Sequence, residues 1–116
     1  AGFQLDSRAV AKEVLELLNA DRKKVGAQPL DWNESVVKCA ELRASEIIQP
    51  NSFSHTRPDG RRYQTVKDDL GFGEELHLGG ENASITIKGT TNKEIAYTIY
   101  QKWYNSSSHS IKATFI

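Results

Sequence analysis

Three stretches of the chain repeat their apolar residues at helical spacing, and that pattern limits the fold more than any other feature. Between Asp6 and Gly26 the apolar positions are Val10, Val14, Leu17, Leu18 and Val25, one face of a helix. Asp6 or Ser7 can cap it, Lys23 and Lys24 suit its negative C-terminal end, and Gly26 suits the stop. A second helix is predicted after Pro29-Leu30-Asp31-Trp32, with Asp31 and Glu34 as a capping-box variant. Its apolar face is read as Val36, Val37, Ala40, Ala44, Ile47 and Ile48, ending at Gln49-Pro50-Asn51. These two helices are expected to form much of the core together. A third helix opens at Thr91 with Glu94 and carries Ile95, Ala96, Ile99, Tyr100 and Trp103 inward, Trp103 mostly inaccessible.

Between the second and third helices the pattern changes. Ser54-His55-Thr56-Arg57-Pro58-Asp59-Gly60 places a hydroxyl, an imidazole, a guanidinium and a carboxylate on one short stretch. Pro58 fixes its own φ and pushes Arg57 out of the helical region, while Asp-Gly is turn chemistry. The stretch reads as an ordered loop carrying titratable groups, with Gly80-Glu81-Asn82 and His109 as its expected partners. Arg61 to Leu70 reads as a short helix with Tyr63 and Val66 inward, broken by Gly71-Phe72-Gly73. Glu75 to Leu78 and Ala83 to Lys88 read as brief strands, and Ile111 to Ile116 is β-prone.

At 116 residues, with 15 basic and 15 acidic side chains, the chain is expected to be a single domain and not a nucleic-acid binder with a broad basic face. The cluster Arg57, Arg61 and Arg62 reads as part of a solvated loop. No apolar run approaches the roughly 20 residues of a membrane-spanning helix. No secretory leader is seen, and Ala1-Gly2-Phe3 reads as a trimmed start. Cys39, alone, excludes an internal disulfide and reads as a buried, inert thiol.

Taken in order, Leu18-Asn19 through Arg22, Gly26 with Pro29 to Trp32, Ala40 to Ala44, Ser54 to Gly60, Gly80-Glu81-Asn82-Ala83 and Trp103 to His109 resemble the CAP superfamily: cysteine-rich secretory proteins, antigen 5 and pathogenesis-related proteins. The resemblance is nearest to its cysteine-poor bacterial branch. It implies an α+β fold, an α-β-α sandwich with a small antiparallel sheet between helical layers. It also implies a cleft of two histidines and two acidic residues: His55, His109 and Glu81 match. The second acid has no counterpart in Trp103-Tyr104-Asn105-Ser106, and Asp59 is the candidate stand-in. The His109 segment reads Ser107-Ser108-His109 where the family has a glycine before the histidine. The C-terminal strands of the family fold are expected to be missing, leaving an open sheet edge for self-association.

Two chemistries are open for His55, His109 and Glu81. They could hold a divalent metal, zinc first, or form a hydrogen-bonded staple between loops. Arg57 and Asn82 are expected to be structural beside the cleft. The resemblance implies a secreted or cell-envelope protein without catalysis, acting by binding a small apolar ligand such as a lipid, or a protein. The competing class is a metal-dependent or serine-type hydrolase, with Ser54 or Ser106 to Ser108 as nucleophile, though no nucleophile elbow is visible.

Overall fold

The computed structural model describes residues 6–84 and 89–105. Among them are helices α1 (Ser7–Lys24), α2 (Glu34–Ile47), the single-turn α3 (Val66–Asp69) and α4 (Asn92–Tyr104), with 3-10 turns at Tyr63–Thr65 and Gly73–Glu75. The expected α-β-α sandwich is not found: the described part is all-helical and holds no strand, only one isolated antiparallel bridge between Thr56 and Arg62. At the first expected strand, Gly73 takes φ +64° and tightens Glu74-Glu75 into a 3-10 turn, leaving too little chain to pair. Of the second, Ala83 and Ser84 form no strand, and 85–88 lie outside the described residues, as do 106–116. No described strand supplies the open edge expected for self-association.

The chain divides into two compact units. One comprises the segments up to Trp32 and from Asn82 onward; the other is Asn33–Glu81.

In the first unit, α1 packs on α4. Asp6 caps α1 by accepting from the Arg8 and Ala9 amides, both at 3.1 Å. Thr91 caps α4 by accepting from the Glu94 amide at 3.1 Å, and the Glu94 carboxylate reaches back to the Thr90 amide. Val10, Val14 and Leu18 meet Ile95, Ala96 and Tyr100 in one buried cluster, with Leu17, Ile99 and Trp103 packed around it. The core expected from the first two helices is divided: α1 builds that of this unit with α4, and α2 contributes to that of the other. Trp103 is only partly buried, because its indole N–H reaches out to the Ala83 carbonyl at 3.2 Å.

The Asn19 and Pro29 to Trp32 motifs have a physical reason. Asn19 grips Leu30 in both directions, donating to its carbonyl at 2.9 Å and accepting its amide at 2.8 Å, and Arg22 donates to the Gln28 carbonyl. These bonds pin the turn after α1.

Buried Tyr100 donates its hydroxyl to Asp21 at 2.7 Å, and burial followed by that carboxylate pushes its pKa above the usual range. Tyr100→Phe is expected to cost about 1.5 kcal/mol, because Asp21 is exposed enough to rehydrate. A urea midpoint equal to the parent's, at the same slope, would refute this.

In the second unit Asn33, not Asp31, caps α2, accepting from the Val36 amide. The buried side of α2 is also turned from the expected one. Val37, Cys39 and Arg43 are buried, Val36 and Leu42 pack beside them, and Ile48 is 77% exposed. Cys39 joins Val66 and Leu78 in the core of this unit, and burial pushes its thiol pKa up. Lys67 donates to the Leu76 carbonyl at 2.9 Å. That bond and buried Leu78 hold the segment that leads through Gly79-Gly80 to Glu81.

Candidate functional site

The site grows from α2, where Arg43 and Glu46 lie three residues apart on one side of the helix. Arg43 is 5% exposed, and all three nitrogens of its guanidinium donate hydrogen bonds. Nε donates to Glu81 Oε2 at 2.7 Å, Nη1 to Glu46 Oε1 at 2.9 Å, and Nη2 both to Glu81 Oε1 at 3.2 Å and to the Ser54 carbonyl. Burial alone would lower the Arg43 pKa, but the hydrogen bonds from Glu81 and Glu46 outweigh it and raise it.

The loop after α2 is shaped by its own residues. The Thr56 amide donates to Ser54 Oγ at 3.0 Å, so the hydroxyl serves the turn. Arg57 and Arg61 pair through the Arg57 amide at 2.8 Å, and Gly60 closes the turn at φ +91°. The Asp59 carboxylate accepts the Arg61 amide at 3.0 Å and its Nε at 2.7 Å, bonds that hold its pKa down.

This turn sends Arg57 inward. Arg57 is 5% exposed and donates from Nη2 to Glu46 at 2.8 Å and Asp69 at 2.7 Å, and from Nη1 to Thr65 at 2.9 Å. Arg61 completes the row by pairing with Asp69 at 3.0 and 3.1 Å. The carboxyl of Asp69, bonded first by Arg61 and then by Arg57, is held down to about 2. The reading of this cluster as part of a solvated loop is corrected for Arg57, which lies in the interior; Arg61, though paired, is 45% exposed, and Arg62 is exposed as expected. Positive and negative groups alternate from Glu81 through Arg43, Glu46, Arg57, Asp69 and Arg61 to Asp59.

His55 stands at the Glu81 end of this row. Its Nδ1 lies 2.8 Å from Glu81 Oε1, and 58% of its side chain is accessible, against 10% for Glu81. Tyr63 meets the imidazole edge to face at 6.4 Å. A carboxylate only accepts, so Nδ1 carries the proton toward Glu81, and in the neutral ring the lone pair is then on Nε2.

Of the residues singled out from the sequence, His55 and Glu81 meet directly. Asp59 is turned to Arg61. Arg57 sits three ion pairs along from Glu81, through Arg43 and Glu46. His109 lies outside the described residues, as does the Ser106 to Ser108 run, and Asn82 falls in the other unit. Among the described residues no three His, Cys, Asp or Glu side chains gather as a metal centre would need. Both Glu81 oxygens are engaged by N–H donors, Oε1 by two of them. Arg43, Glu46 and Asp69 were missed in the sequence. Arg43 and Glu46 at helical spacing beside Cys39 and Leu42 were the available signal.

The comparisons agree with the motif order. A protein of Bacillus subtilis (strain 168) named YkwD, described as uncharacterized, is 32% identical over 102 residues, 87% of this chain. The chain spans 36% of that relative's length. No solved structure matches the chain. The pattern of the cysteine-rich secretory protein family matches residues 15–114. With that match running through all the loops described above, the chain belongs to the CAP family, the cysteine-rich secretory protein family.

Proposed function

We propose that this domain acts outside the cytoplasm by binding rather than by catalysis, with His55 as the contact group. The observation that carries the reading is an accessible imidazole fixed from behind by a carboxylate that is itself fixed by a buried arginine. Such a group is presented rather than hidden, and its Nε2 can accept a hydrogen bond or ligate a metal. Phe53, two residues before it, is 51% exposed and gives the same loop an apolar contact. A small apolar ligand with a polar end, such as a lipid, or a protein surface of that character suits this pair. The family's own description, secretory, supports the location. Among the described residues no helix is long and apolar enough to cross a membrane. Ser54, the sequence's nucleophile candidate, accepts the Thr56 amide at 3.0 Å, a turn contact that supports a structural role for it.

Zinc is the divalent ion that an imidazole of this kind suits best, with Glu81 orienting the ring behind it. The test is a titration with a fluorescent fatty acid and, separately, with zinc. His55→Ala is expected to weaken whichever of the two the parent binds by tenfold or more, and Val25→Ser, at an exposed position of the other unit, to weaken neither. Equal affinities in parent and His55→Ala would refute the reading. So would ester or peptide turnover that disappears in Ser54→Ala.

A further inference from the structure

We propose that Arg43 is the positioning residue of the His55 site, and that it reserves Glu81 as an anchor for the imidazole instead of a ligand for a metal. The inference rests on the reading of His55 as the contact group. Three observations carry it. First, Arg43 grips both ends of what positions His55: the Glu81 carboxylate that bonds its ring, and the carbonyl of Ser54, the residue just before it in the chain. Second, both oxygens of Glu81 are engaged by N–H donors. Oε2 takes Arg43 Nε at 2.7 Å, and Oε1 is shared by His55 Nδ1 at 2.8 Å and Arg43 Nη2 at 3.2 Å. A metal on Oε1 would displace a hydrogen bond, and one on Oε2 would set a dication against the guanidinium bonded there at 2.7 Å. Third, Arg43 is itself held by Glu46 at 2.9 Å, so its planar fork cannot swing away without breaking a bond at the helix.

The consequence is a single fixed tautomer. With Glu81 neutralised by Arg43 and pointed at Nδ1, neutral His55 keeps its proton on Nδ1 and offers Nε2 outward. A lysine in place of Arg43 supplies charge but not the fork, so it cannot hold Glu81 and the Ser54 carbonyl together.

Long-range proton–nitrogen correlation spectra of the whole chain, taken without ligand where imidazole is neutral, read the tautomer directly. The parent is expected to show His55 chiefly as Nδ1–H. Arg43→Met is expected to lower that fraction at least twofold, and Arg43→Lys to lower it by less. Arg57→Met breaks the same row of charges on the far side of Glu46, and is expected to leave the tautomer as in the parent. An Nε2–H tautomer in the parent overturns the proposal, whatever the variants do. So does an Arg43→Lys spectrum equal to the parent's, or a shift in Arg57→Met as large as in Arg43→Met. The parent and Arg43→Lys decide the matter if Arg43→Met does not fold. Because no ligand is present, a His55 that binds nothing would leave this result standing, and a failed tautomer test would leave the binding titration to stand alone.

Discussion

Glu46→Ala is expected to destabilise the protein by about 3–5 kcal/mol, the cost of removing one partner from a buried ion pair. Glu46 sits between two guanidinium groups whose side chains are only 6% and 4% exposed. Its loss leaves Arg43 and Arg57 with one fewer negative charge between them, in a place water barely reaches. Arg43 keeps Glu81 and Arg57 keeps Asp69, which is why the lower half of that range is the better expectation. Urea unfolding of parent and variant at neutral pH measures the difference. A variant within about 0.5 kcal/mol of the parent, the scatter of ordinary surface changes, would show the row of charges to be a surface feature.

The same residue sets an acid limit. Burial pushes the Glu46 carboxyl up, but the hydrogen bonds from Arg57 and Arg43 outweigh it and hold its pKa below the usual 4.5. A carboxyl depressed in the folded state contributes stability that is full above its unfolded pKa and is lost as pH falls through the folded one. Asp69 acts in the same direction, from 3.8 down to about 2. The parent should therefore lose stability from about pH 4.5 downward. The gap between parent and Glu46→Gln should be constant above that pH and close below it. A gap that widens on acidification would contradict the assigned ion pairs.

Periodicity revealed α1 and α4 because their caps and apolar faces say the same thing. Asp6 and Thr91 cap them, and the buried residues fall on the expected faces, Val25 at the end of α1 excepted. The α2 face was misjudged for a definite reason. Counting only apolar residues admits Ile48, which is 77% exposed, and rejects Arg43, which is 5% exposed. An arginine can lie inside when its fork is filled, and no hydropathy pattern shows whether partners will arrive. Here they come from residues 11 and 38 positions away. The Glu75 to Leu78 alternation was too short to decide. A 3-10 turn followed by extended chain also puts Leu76 and Leu78 inward, so four alternating residues do not make a strand. The meeting of His55 with Glu81, 26 residues apart, was legible only through the family's motif order. Nothing in the spacing of those two residues brings them together. What does so is Arg43, which holds Glu81 and the backbone before His55 with one side chain.

Leu18→Ala is expected to cost about 2–5 kcal/mol, the range for truncating a buried leucine. Leu18 is fully buried between α1 and α4, where Val14, Ile95 and Ala96 are likewise closed to solvent. The size within that range depends on whether the surroundings can collapse into the space. Ala96 faces the gap with no side chain long enough to fill it, and Ile95 and Val14 are β-branched and stiff at χ1. Collapse would have to come from moving one helix against the other, which the bonds across them resist: the Asp6 amide to Asn92 at 3.1 Å and the Tyr100 hydroxyl to Asp21 at 2.7 Å. The upper half of the range is therefore expected. Leu17, one position earlier, is only partly buried at the rim, so Leu17→Ala should cost clearly less. Denaturant unfolding of the two variants side by side checks the orientation of α1 as well as its packing. If Leu17→Ala proved the more damaging, the buried stripe of α1 would be turned by about a third of the way round the helix, 100° per residue, and its packing on α4 would have to be redrawn.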